Sequence, residues 1–230
     1  MNEKGEVNFV EVKKHPEVLK KYMRQLRKVN ESDFPEWSRE EVVALWINSY
    51  HAAAIWAVIE HYPVKSLQQI PSVWDTKYLK MTGNSYSLNE IRAKYLMGSY
   101  RDEKINFALS CMAKDCPVLN RDAYVGPKLD GQLFMATRRF VNDDRRVTIK
   151  FGEKKIILSK LFKWYAKDFG FNFGKPENEE GLSKEDFAVL SFLSFYIEDA
   201  DKVNFLEEKK YKIKYSKFDW SLNEWRVPSS

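Results

Sequence analysis

The stretch from Val42 to Ile59, eighteen residues without a formal charge, most constrains what this chain can fold into. Its length reaches the lower limit for crossing a bilayer. Its middle, however, carries Asn48, Ser49 and His51, and polar groups are expensive in hydrocarbon. The flanks define a helix with set ends. Ser38-Arg39-Glu40-Glu41 reads as a capping box, with Trp37 and Val42 placed as a hydrophobic staple. Pro63 disfavours helical backbone at Tyr62 and forces the end. The pattern predicts the central helix of a soluble domain, buried on nearly every side.

Around that helix the periodicities alternate. Val18, Leu19, Tyr22, Met23 and Leu26 recur at the spacing of one buried helical face, from Pro16 to about Val29. Ser66 to Ile70 reads as a short helical turn. Tyr78 to Tyr86 suggests a hairpin turning at Gly83-Asn84, and Leu88 to Leu96 returns to helix. Pro127 to Val141 presents Leu129, Leu133, Ala136 and Phe140 on one face. Arg146 to Leu158 alternates around Gly152-Glu153 as a second hairpin, after a solvated Asp143-to-Arg146 turn. Ser159 caps a helix ending at Gly170, Phe171 to Gly181 reads as an exposed loop, and Ser183 caps a further helix. Glu198-Asp199-Ala200-Asp201 reads as a junction where Asp201 caps the next helix, and Tyr211 to Tyr215 as a strand. The expectation is one α+β domain over residues 1–230, helix-dominated, with a buried central helix and two or three short hairpins or strands.

Charge and cysteine usage exclude several classes. The 38 basic and 33 acidic residues are spread along the chain, which argues against a dedicated nucleic-acid surface. Two cysteines cannot build a disulfide framework or a four-cysteine zinc site. No metal and no cofactor are expected. No charged-then-apolar start marks a secretory signal. The expected compartment stays open, cell envelope for a trimmed exported chain and cytoplasm otherwise. Seven tryptophans are enough to line a groove, although most are expected in the core.

Several blocks together resemble a known family. They are Trp46-Ile47-Asn48-Ser49-Tyr50-His51-Ala52, His61-Tyr62-Pro63-Val64-Lys65-Ser66 and Ser87-Leu88-Asn89-Glu90-Ile91. The cysteine-bearing segment Ile105 to Pro117 follows, then Leu158 to Tyr165 with Lys167-Asp168-Phe169. Their order and spacing are similar to domain-of-unknown-function family 547, found in bacteria and in some plant proteins. The resemblance runs from about Glu40 to Phe169, and the ending Phe218 to Asn223 shares it. It implies a fold rather than an activity. Two residue types are exchanged relative to the family's usual motifs: His51 stands for an asparagine, and Asn106 for a histidine. Asn and His both bridge donors and acceptors, so the exchange predicts that His51 and Asn106 touch or share a partner.

Cys111 and Cys116 lie five residues apart, and Pro117 could open a helix after them. One reading is a cysteine-dependent hydrolase or acyltransferase acting on an amide or thioester. Cys116 is then the nucleophile, His51 its base and Asn106 the group that orients the base. All three histidines precede both cysteines, so a papain-like arrangement would have to be circularly permuted. A second reading is a structural polar cluster in a non-catalytic module that binds a peptide or glycan. The third is a Cys111–Cys116 disulfide. Cys111, Asn48, Trp46 and Tyr50 are the candidate binding residues in the same two segments.

Overall fold

The computed structural model describes residues 1–174 and 182–226. Helices dominate, and two small sheets accompany them. Two short helices, α1 (Phe9–Lys14) and α2 (Glu17–Leu26), lead into α3 (Arg39–His61). The capping box at Ser38 forms as the residue pattern predicts: the Ser38 hydroxyl accepts from the Glu41 N–H, and Glu41 accepts from the Ser38 N–H. Helix α3 is long and apolar enough to cross a membrane, but most of it lies inside the protein.

Strands β1 (Leu79–Met81) and β2 (Asn84–Tyr86) form a hairpin against α3. Its two turn residues are Thr82 and Gly83, both at positive φ, one position earlier than the sequence pattern suggests. That turn type matches the strand twist. Ser87 then caps α4 (Leu88–Glu90), which widens into a π-helical turn, Ile91–Met97, before α5 (Gly98–Tyr100). Continuous helix through Leu96 was the expectation. π-turns are rare and frequently sit at functional sites.

Helix α6 (Ile105–Ala108) precedes the cysteine loop, and α7 (Leu129–Val141) follows it. Pro117 opens no helix; residues 117 to 125 run without regular structure. The second hairpin, β3 (Val147–Lys150) and β4 (Lys155–Leu158), leads through α8 (Lys160–Trp164) into α9 (Ala166–Phe173). Helix α9 passes Gly170 because Phe173 packs edge-on against Phe192. The expected loop therefore begins later, and residues 175–181 of it lie outside the described chain. Helix α10 (Lys184–Tyr196) follows, then α11 (Ala200–Glu207), then β5 (Lys212–Tyr215), which joins β4 in parallel. The cap of α11 is Asp199, not Asp201: its carboxylate accepts from the N–H groups of Asp201 and Lys202.

Buried apolar side chains form two clusters. The first surrounds α3 and takes residues from Val7 to Leu133 together with Leu222. The second gathers Phe107 with residues from Phe140 to Leu206, centred on stacked phenylalanines such as Phe107 and Phe192. Helix α6 belongs to both, giving Ile105 to the first and Phe107 to the second. Residues 218 to 225 form a strap across this seam. Leu67 N–H donates to the Trp220 carbonyl, Lys114 N–H to Ser221, and Asn223 N–H to Met112. The strap thereby ties the cysteine loop to the turn after α3.

Candidate functional site: an aromatic cleft over a neutral polar floor

A cavity of about 240 Å³ opens along the seam between the two apolar clusters. One wall is aromatic. Trp164 stacks on Trp220 at 5.4 Å, Phe218 tilts against both, and Trp74 meets Trp220 at 5.9 Å. These rings come from three separate parts of the chain, and the strap brings Phe218 and Trp220. Most of the tryptophans were expected in the core; three of the seven line this cleft instead. The opposite wall is the loop bearing Cys111 and Cys116.

The floor is polar. Arg92, from the π-turn, donates through Nε and Nη2 to the Asn106 side-chain oxygen at 3.1 and 2.8 Å. It also pairs with Asp168 of α9, and Asn106 Nδ2 donates to the same carboxylate at 3.0 Å. The guanidinium lies over the Tyr165 ring, 3.6 Å from its centre. Asn106 is 3% exposed, so its amide is held in one orientation by these partners. The arrangement cancels charge: one cation, one carboxylate and one amide close on one another. Sequence reading identified Asn106 and missed Arg92 and Asp168, which stand 76 residues apart with no local pattern to connect them.

Tyr50 completes the floor. It is 5% exposed and lines the cavity, and its hydroxyl makes no hydrogen bond among the described residues. Burial raises its pKa, the neighbouring Tyr165 adds to that, and Arg92 opposes it. The hydroxyl is therefore a neutral donor and acceptor facing the cavity. The hydroxyl opens onto the cavity and is free for a ligand, unlike Tyr78 Oη and Trp225 Nε1, the atoms that are both enclosed and unpartnered among the described residues.

The other candidates fall in different places. Cys111 and Cys116 are joined in a disulfide with Cα atoms 5.6 Å apart, so no free thiol remains. Both are buried. Met112 between them takes a left-handed backbone conformation, φ 68°, which helps turn this short loop. His51 lies against the segment leading into the loop: its Nε2 is 3.0 Å from the Ala108 carbonyl and 3.1 Å from the Ser110 N–H. A protonated Nε2 donates to the first, and a bare one accepts from the second. Burial lowers the His51 pKa to about 4, against the opposing pull of the Ala108 carbonyl.

No hydrogen bond joins His51 to Asn106 or Cys116 among the described residues. The two exchanged residues hold the two ends of one short stretch instead: Asn106 faces Arg92 and Asp168, and His51 grips the backbone at 108 and 110. Asn48 is engaged at both ends with the backbone of Tyr124, at 2.8 and 3.0 Å. Trp46 is buried between Tyr95 and Tyr86. Neither lines the cleft. The segment 143–146 is not simply a solvated turn, because Arg146 is buried. It bonds Asp115 at 2.5 Å and the Lys114 carbonyl at 2.6 Å, holding the far end of the cysteine loop. Among the described residues no cluster of His, Cys, Asp and Glu is arranged to hold a metal ion.

Fold and site together define a helix-dominated α+β protein with one small aromatic cleft at the junction of two cores. Residues 34–141 match the family model described as protein of unknown function, DUF547, so the chain carries an uncharacterised DUF547 domain. No curated protein and no solved structure matches the chain. The matched span supplies Tyr50, Arg92, Asn106 and the cysteine loop. Asp168 and the aromatic residues 164, 165, 218 and 220 lie beyond it.

Proposed function

We propose that the protein is a recognition module whose cleft holds one saccharide ring of a glycan. The observation that carries this reading is the unpartnered Tyr50 hydroxyl at the floor of an aromatic-walled cavity. A sugar ring has apolar C–H faces and a polar rim. Stacked tryptophans suit the faces, because aromatic side chains offer large apolar area at fixed geometry. Tyr50, Arg92 and Asn106 suit the rim. The Arg92–Asp168 pair makes the floor close to neutral, which favours a neutral polyhydroxyl group over an anion. A volume of about 240 Å³ falls below the roughly 300–1,000 Å³ of drug-sized pockets and accommodates one ring.

Thiol catalysis asks for a free Cys116 and a base within hydrogen-bond reach. The disulfide and the backbone contacts of His51 support binding over that chemistry. The test is titration of tryptophan fluorescence with a panel of neutral mono- and disaccharides, including N-acetylated ones. At least one member is expected to shift the emission saturably, and Trp220→Ala to abolish the shift. If no member changes the emission at concentrations up to about 10 mM, weaker than ordinary weak recognition, the saccharide reading fails.

A further inference from the structure

A second cavity, about 560 Å³, lies on the other side of the cysteine loop, and Cys116 lines both. Its lining holds six cationic side chains, Lys4, Lys114, Arg121, Arg139, Arg145 and Arg146, against the carboxylates of Glu3, Glu6 and Asp143. Asp143 is engaged by Arg145 at 2.7 Å, and Arg146 pairs with Asp115. Lys4, Lys114, Arg121 and Arg139 have no ion pair among the described residues. They come from four separate segments, which is why the charge looks dispersed along the sequence and becomes concentrated only on folding.

The enclosure is built rather than incidental. The segment 2–6 lies directly on the loop at 118–119, so closely that a Cβ on Gly5 would stand 2.3 Å from the Val118 side chain. Gly5 is also at φ +74°, so glycine alone suits that position. A concave wall with an excess of one sign, here six cations against three carboxylates, focuses the field and raises the local concentration of counter-ions.

We infer that this cavity is a binding site for a ligand bearing two or more closely spaced anionic groups, phosphate or carboxylate. Nothing in this site rests on the saccharide reading, although the two cavities share Cys116 in their walls. Its chemistry is opposite, since here four of the six cations, Lys4, Lys114, Arg121 and Arg139, have no ion pair among the described residues.

The test is calorimetric titration of the full chain with sodium tripolyphosphate and, separately, with citrate, at about 0.05 M and about 0.5 M salt, where the screening length shortens about threefold. At low salt at least one probe is expected to bind in the micromolar range, and to weaken more than tenfold at high salt. Arg121→Gln with Arg139→Gln should weaken it about tenfold, as loss of two partly screened contacts predicts. Lys20→Gln with Lys21→Gln removes the same charge from the exposed face of α2 and should stay within about twofold of wild type. Tighter tripolyphosphate assigns the ligand to phosphates, and tighter citrate to polycarboxylates; either upholds the site. Equal loss in the two double variants would reduce the cavity to general charge attraction. No heat from either probe would overturn it outright. Circular dichroism of both variants checks that folding is intact.

Discussion

The aromatic cleft and the basic cavity share a wall, yet they handle charge in opposite ways. In the cleft, Arg92 is closed off by Asp168 and Asn106, while a hydroxyl, Tyr50, is left without a partner. Across the cysteine loop, four of six cations have no ion pair among the described residues, while the amides of Asn2, Asn120 and Asn223 are engaged. One loop thus separates a surface suited to neutral rings from one suited to anions. The lesson is that chain charge and composition describe neither; pairing in space decides which groups stay available to a ligand.

The sharpest way to break this comparison is to remove the neutralising carboxylate. Asp168→Leu leaves Arg92 largely buried without its partner, and truncating one member of such a pair costs roughly 3 kcal/mol. Urea denaturation should show that loss, and Arg92→Leu/Asp168→Leu should recover part of it. The two singles couple because they share one network. A cost below about 1 kcal/mol would mean that the pair behaves like an exposed one, and the neutral-floor argument would fall.

His51 supports the same loop from behind, and pH reads its contribution. The folded imidazole titrates at about 4, well below its unfolded value near 6.5, because burial disfavours the charged form. Between those values the unfolded chain binds more protons, so stability rises with pH and is lost as pH falls from 6.5 towards 4. The full window amounts to about 3 kcal/mol. Unfolding free energies measured across it should show that slope, and His51→Gln should flatten it. A wild-type slope no steeper than the variant's would put His51 in contact with water.

Local signals were readable in the sequence, and long-range ones were not. The bounds of α3 followed from Ser38, Glu41 and Pro63, because caps and prolines act within a few residues. The strand at Tyr211–Tyr215 was visible as alternation, but its parallel pairing with β4 was not, since pairing depends on packing across an intervening 50 residues or so. At the site, Cys111, Tyr50 and Asn106 drew attention by type and position. Asp168 stood only in a block of the family resemblance and Arg92 in none, because an arginine and an aspartate in different helices carry no shared pattern until the chain folds. Trp46 and Trp220 show the same limit from the other side. Both are tryptophans in recognisable blocks, yet Trp46 is packed between Tyr86 and Tyr95 in the core while the strap carries Trp220 to the cleft.

The shared wall can be tested directly. Cys111→Ala with Cys116→Ala removes the disulfide without creating a lone thiol. Closing so short a loop contributes about 2 kcal/mol by the chain-entropy estimate, and that loss should appear in urea denaturation. Because Cys116 faces both cavities, saccharide and tripolyphosphate affinities should fall together. If only one falls, the two cavities are mechanically separate and the loop serves just one of them.

Tyr50→Phe has the smallest expected effect and discriminates most finely. Removing a buried hydroxyl that had a partner costs about 1 kcal/mol or more. This hydroxyl has none among the described residues and faces the cavity, so folding stability should change by less than about 0.5 kcal/mol. The saccharide, by contrast, would lose a buried hydrogen bond worth about 1 kcal/mol, a drop of about fivefold in affinity. The tripolyphosphate affinity should not move, since Tyr50 does not face the basic cavity. A stability loss above 1 kcal/mol would show that the hydroxyl is already bonded within the protein. Unchanged saccharide binding, with Trp220→Ala still abolishing it, would confine recognition to the aromatic wall. Only the combination of unchanged stability, weakened saccharide and unchanged anion makes the Tyr50 hydroxyl part of the cleft's binding surface and not of its scaffold.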